Sequence, residues 1–243
     1  MRIHRVVGIL IIILIVAAIC TLVAHQQQRV AHYFQTTRSK NIAEDVQQAK
    51  QKGLSEIHIP IPKVTGPEAT SIDTMLLADS AIVAKLVDKE STFYDESKSA
   101  VVTWLRFEVS SHIAGPPIPN LPLPSNAPDR LTKIAAQPNF LVRVYGGTIH
   151  EGGVKVVSDS PLSELSVGAN FVLFVFFDRD ATETLAGLNY GPQSVIEVDE
   201  TGMVHTLSAM PSDAVSRFIT ENQISNVTAL TSALRARAKD LGR

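Results

Sequence analysis

Two predicted strands carry the side chains best suited to bind something. Trp104 and Arg106 alternate along one of them, and Arg143 and Tyr145 along the other. Side chains two positions apart on a strand share a face, so each strand sets an aromatic ring beside a guanidinium. A ring offers a surface for stacking, and a guanidinium offers positive charge. These four are the candidate ligand-binding residues. No catalytic residue is assigned, because no Gly-x-Ser-x-Gly, His-Glu-x-x-His, phosphate loop or dinucleotide fingerprint occurs. The single Cys, Cys20, lies in an apolar N-terminal run and leaves the rest of the chain without a thiol nucleophile. A binding role is preferred, and catalysis is left open.

Other chemistry-bearing groups have simpler readings. His58, His112, His150 and His205 stand singly, without the spacing of metal ligands, and read as surface or turn residues. Asp178, Asp180 and Glu183 bring three carboxylates close enough to interest a hard cation. Arg179 intervenes and no glycine-bearing calcium-loop pattern is present, so a solvated turn is the better reading. Gly146-Gly147 and Gly152-Gly153 offer backbone amides to an anion, but no helix start with a nearby Lys follows, and tight turns or a bulge explain them. No metal and no cofactor is expected.

The elements that must position the four residues follow from periodicity. Residues 80–88 are mostly apolar, and 100–113 alternate, with Val101, Thr103, Leu105, Phe107 and Val109 on one face and Val102, Trp104, Arg106 and Glu108 on the other. Asp95-Glu96-Ser97-Lys98 is turn chemistry, which makes these two strands a long hairpin. Residues 115–138 hold seven of the 13 prolines and read as a loop with one short helical turn around residues 131–136. Alternation resumes at 140–145; a short strand is expected at 154–157, and 171–177 is apolar on both faces, hence covered on both sides. Strands at 186–190, 195–198 and 203–207 precede two helices, the first capped by Ser212. A short helix capped by Ser71 comes before the first strand, and Ile57-His58-Ile59-Pro60-Ile61-Pro62 reads as an extended linker or edge strand.

The front of the chain is different in kind. Val6 to Ala24 contains no charge, follows Arg2 and Arg5, and is long enough as a helix to cover most of a hydrocarbon core about 30 Å thick. A cleaved signal peptide would want a small residue where Leu22 stands, and a lipoprotein signal would want one where Ile19 precedes Cys20. An uncleaved anchor is preferred, with its short basic tail in the cytoplasm and the remainder outside. Residues 25–53 hold five basic and two acidic side chains. They read as a solvated juxtamembrane stalk, or else as a surface for anionic headgroups or self-association. The hydrophobic content of 45% excludes disorder, and one Cys excludes a disulfide framework. The net charge of −2 divides into +5 for residues 1–53 and −7 for the remainder, which makes the remainder a poor partner for nucleic acid.

The run of residues 77–86, then Thr103-Trp104-Leu105-Arg106-Phe107-Glu108-Val109, Val144-Tyr145-Gly146-Gly147-Thr148 and residues 165–174, resembles a group of uncharacterised bacterial extracytoplasmic domains. These are similar in strand order to the netrin-like domains of tissue inhibitors of metalloproteinases. The resemblance spans residues 71–207 and implies a small barrel of the OB type. Those inhibitors use an N-terminal Cys and disulfides; this chain has neither, so protease inhibition is not carried over. In OB-type barrels the face bearing the four candidates often receives oligosaccharides or oligonucleotides. The alternative is that C-terminal helices cover it.

The expected fold is mainly β: an OB-like small β-barrel with flanking α-helices and an N-terminal transmembrane helix. Its divisions are an anchor at 1–24, a stalk and linker at 25–69, the barrel at 70–210 and helices at 211–243. The expected function is a non-catalytic extracytoplasmic binding module, held in the cell membrane by a single pass, with another envelope protein or a saccharide as partner. An envelope hydrolase or regulator of an envelope protease is the alternative. A third reading is a structural subunit that forms a homo-oligomer through its stalk.

Overall fold

The computed structural model describes residues 41–62, 69–78, 80–118, 126–132, 139–177, 186–188, 190–207 and 213–243. The apolar run at 6–24, the first part of the stalk, the carboxylates at 178, 180 and 183, and the Ser212 cap lie outside them. No helix among the described residues is long and apolar enough to cross a membrane.

The chain is mainly β. In order come α1 (Ile42–Gln51), β1 (Glu56–His58), α2 (Ile72–Ala78), β2 (Ser80–Phe93), β3 (Val101–Ala114), the one-turn helix α3 (Asp129–Thr132), β4 (Asn139–Tyr145), β5 (Gly147–Glu151), β6 (Val154–Ser158), β7 (Asn170–Phe177), β8 (Ala186–Gly187), β9 (Val195–Val198), β10 (Val204–Thr206), α4 (Ala214–Glu221) and α5 (Val227–Asp240). The expected long hairpin is β2–β3, antiparallel from Ala81 opposite Ala114 to Phe93 opposite Val101.

Five of these strands close into a barrel in the order β7-β2-β3-β4-β8 and back to β7. Ranked along the chain, the barrel strands therefore run first, second, third, fifth, fourth, which is consistent with an OB-like barrel. The closing strand is only two residues long: Ala186 lies parallel to β4 opposite Val142 and antiparallel to β7 opposite Phe177. Inside sit Ile82, Ala84, Leu86, Leu105, Phe107, Phe140, Val142, Phe171, Leu173 and Val175. Phe107 anchors that interior, stacking on Phe140 at 5.6 Å and meeting Phe171 edge-on at 6.1 Å, an arrangement that suits the quadrupoles of the rings. Strand β7 is buried on both faces, as its unbroken apolar run requires, because β9 extends the sheet beyond it and helices cover its outer side.

Three separate layers cover the outside. Helices α2, α4 and α5 pack Met75, Leu76, Val215, Leu230 and Leu234 onto Ala81, Val172, Phe174 and Ile196. Ser71 does cap α2, accepting the Thr74 N–H at 3.2 Å, whereas Asp213 caps α4 by accepting from the Ser216 N–H at 2.7 Å. A second sheet, β1-β6-β5, buries Ile57, Ile149, Val154 and Val156 against Ile42, Val46 and Ala49 of α1. This corrects two expectations. The last turns of the stalk are solvated on one side only, with Glu44, Gln47, Gln48 and Lys50 exposed, and their apolar stripe is used up within the chain, so residues 42–49 offer no stripe for self-association. Residues 56–58 form the edge strand that the proline spacing allowed, paired parallel with β6. The third layer lies over the face of the four candidate residues.

Candidate functional site

The site begins with a bulge. Leu86 of β2 points into the barrel opposite Phe107, and strict alternation would turn Asp88 inward two residues later. The register instead shifts between Leu86 and Asp88, so Val87 is the extra residue and Asp88 comes to lie opposite Arg106 on the outer face. Glu90 then falls opposite Trp104 and Thr92 opposite Val102. On the other flank of β3, Trp104 faces Arg143 and Arg106 faces Leu141. One irregularity thus places two carboxylates on the same outer face as the four candidates.

The Trp104 side chain is only 1% exposed, and its indole N–H donates to the Thr92 hydroxyl at 3.1 Å. It packs in a cluster with Val102, Leu141, Ala127 and Leu131, with Tyr94 and Tyr145 at the margin. The Arg143 guanidinium lies over the ring of Tyr94 at 4.7 Å and over that of Trp104 at 5.4 Å, while Tyr94 and Tyr145 stack at 5.6 Å. Stacking fixes the plane of the Arg143 fork. Among the described residues Arg143 forms no ion pair, so its N–H donors remain available to an incoming acceptor. Burial, reinforced by the adjacent Tyr94, pushes the Tyr145 hydroxyl above the ordinary tyrosine range, so it is protonated and can donate at neutral pH.

The turn α3 is tied over this face by one residue. Arg130 donates from Nη1 to both Asp88 oxygens at 2.8 and 2.7 Å, from Nε to Glu90 at 3.1 Å and from Nη2 to the Lys89 carbonyl at 3.0 Å. The hydrogen bonds it donates to Glu90 and then to Asp88 hold its guanidinium above the usual arginine range. Arg106 is treated differently. It is 8% exposed, its Nε has no hydrogen-bond partner, and no carboxylate of the described residues pairs with it. The acid across the strand from it, Asp88, is committed to Arg130.

The four predicted residues therefore do lie on one face, with Arg143 and Tyr145 half-buried and Trp104 and Arg106 beneath a cover. The cover is a correction: it is the turn from the proline-rich loop, with Ala127 and Leu131, while α4 and α5 pack on β2, β7, β9 and the far end of β3 at Ile113 and Ala114. Tyr94, Asp88, Glu90 and Arg130 were missed. Tyr94 adjoins a turn and belongs to no alternating run, the two acids change face at a bulge, and Arg130 sits among prolines. Pro128-Asp129 is a helix-start signature and was the one signal that could have drawn attention to it.

Elsewhere, His58 is held by carboxylates on both sides, Asp159 at 3.2 Å and Glu56 at 3.1 Å, and His205 pairs with Asp199 at 3.0 Å in a hairpin turn. Among the described residues no cluster of His, Cys, Asp or Glu could hold a metal ion. No protein-family model matches the chain, and neither a curated protein nor a solved structure matches it.

Proposed function

We propose that this chain is a non-catalytic interaction module, tethered to the cell membrane by residues 6–24 and presenting Tyr94, Arg143 and Tyr145 outside the cytoplasm to a carboxylate-bearing protein partner. The observation that carries this is the Arg143 fork, stacked between aromatic rings and lacking an acidic partner among the described residues, in a portion of the chain whose net charge is −7. Arginine left unpaired where acids outnumber bases is a group kept for something outside the chain. Tyr, Trp and Arg are also the residue types that dominate binding hot spots, because they supply large rigid contact area and directed donors. The strand order is consistent with an OB-like barrel, and in barrels of that type the face of the second and third strands often receives ligands. A protein partner is preferred over a saccharide because the faces of Tyr94 are already taken by Tyr145 and Arg143, leaving edge and fork contacts rather than an open stacking platform.

The test is a photocrosslinking amino acid placed at Tyr94 in the full chain in intact cells, with a control at the exposed His150. A discrete adduct from position 94, absent from position 150 and lost on Arg143→Ala, is expected. The same adducts from both positions, or an adduct indifferent to Arg143→Ala, would overturn the proposal.

A further inference from the structure

Resting on that reading of the face, we infer that it has an inner subsite, formed by Trp104, Leu141 and Arg106, that takes a partner segment bearing an aliphatic side chain beside a carboxylate, and that the turn Ala127–Thr132 occupies it as an incomplete mimic.

The turn shows what half of the subsite accepts. Leu131 is fully buried in the cluster of Val102, Trp104 and Leu141, so a branched aliphatic side chain fits over the indole. Arg106 shows what the turn fails to supply. It stands across the strands from Leu141 on the same outer face and is more than nine-tenths buried, yet its Nε is unsatisfied. A buried N–H donor without an acceptor is costly, since it has lost its water and gained nothing in exchange. The chain supplies a suitable acid directly opposite, Asp88, and then diverts both of its oxygens to Arg130. The occupant thus fills the apolar half of the site and withholds the anion from the other half. A partner that brought both an aliphatic group and a carboxylate would satisfy Arg106 as well as cover Trp104, and would displace the turn for that reason.

What holds the turn is accessible to competition. Arg130 is 57% exposed, so its bonds to Asp88 and Glu90 are screened by solvent. Removing it frees the turn without opening a hole in the core, which makes Arg130→Ala a variant that keeps its fold.

Trp104 is the only tryptophan in the chain, so its fluorescence reports this subsite alone. In the full-length protein, Arg130→Ala should raise acrylamide quenching of Trp104 toward that of free tryptophan, with unchanged far-ultraviolet circular dichroism. The probe N-acetyl-leucine, which carries the isobutyl group and a carboxylate, should restore protection in Asp88→Asn/Arg130→Ala, where no freed Asp88 carboxylate competes for Arg106. N-acetyl-leucinamide, which lacks the charge, should bind about tenfold more weakly, as loss of a charge-assisted pair implies. Adding Arg106→Gln should erase the difference between the two probes. Quenching unchanged by Arg130→Ala, or equal binding of acid and amide, would overturn the inference. Adducts at Tyr94 that depend on Arg143 would still stand in that case, so failure of the inner subsite is separable from failure of the face.

Discussion

Gly147 shows how closely single residues are constrained beside the candidate face. It follows β4 at φ +125°, where side chains other than hydrogen are strained, and a Cβ there would run into the hydroxyls of Thr103 and Ser91. Those hydroxyls bond to each other at 2.9 Å, and that of Thr103 also donates to the Gly146 carbonyl at 2.8 Å. Gly147→Ala should therefore destabilise the fold by about 3 kcal/mol, combining backbone strain with overpacking; urea denaturation would measure it, and a loss under about 1 kcal/mol would refute the account. The double glycines were legible as turn or bulge residues because their backbone needs are intrinsic. The two arginines were legible by type but not by role, since Arg143 and Arg106 look alike in an alternating pattern. Only the placement of Leu131 and the diversion of Asp88 to Arg130 make one of them an open fork and the other a buried side chain with an unsatisfied Nε.

Elements that announce themselves over many residues were read well, and those defined by distant partners were not. The β2–β3 hairpin, β7 and β9 carry long alternation or dense apolar runs. In contrast, β8 is two residues between non-local neighbours, shorter than the strand expected at 186–190, and β1 is specified by the β6 backbone it meets and by the α1 side chains that bury Ile57. The seam closed by β8 rests on one residue pair to β4 and two to β7. Amide hydrogen exchange should accordingly be faster at Ala186 and Gly187 than across β2–β3 and β2–β7, since sub-global opening starts where pairing is sparse; equal protection would mean the barrel opens only as a whole. Helices α2 and α5 are joined by Arg237, whose Nε donates to Asp73 at 2.6 Å and holds that carboxyl below the ordinary aspartate range. With the folded value depressed, the pair's contribution is complete above about pH 4 and lost as pH falls toward the folded value. The stability gap between wild type and Asp73→Asn, measured by urea denaturation, should thus shrink between pH 7 and pH 3.

For the molecule as a whole, charge and hydropathy are distributed rather than uniform. The chain's −2 hides a basic front and a remainder at −7. In the remainder, Lys98 with Glu151, Lys155 with Glu56, Arg130 with Asp88 and Arg237 with Asp73 are internal pairs. Arg143, like Arg106, has no acid paired with it among the described residues, and an acidic partner would find its fork by geometry at close range rather than by long-range attraction. The point of attachment adds a directional constraint. The backbone N–H of Ile42, at the start of α1, bonds to the Lys98 carbonyl at 3.0 Å, in the turn that begins beside Tyr94. Helix α1 therefore begins against the hairpin turn between β2 and β3, close in sequence to Tyr94. If residues 6–24 span the bilayer with Arg2 and Arg5 in the cytoplasm, as the positive-inside tendency favours, the barrel lies outside the cytoplasm. Alkaline phosphatase fused after Arg243 should then be active and the full chain should resist carbonate extraction. Activity from a cytoplasmic reporter at the same position would reverse the topology, and with it the location of any partner that Arg143 receives.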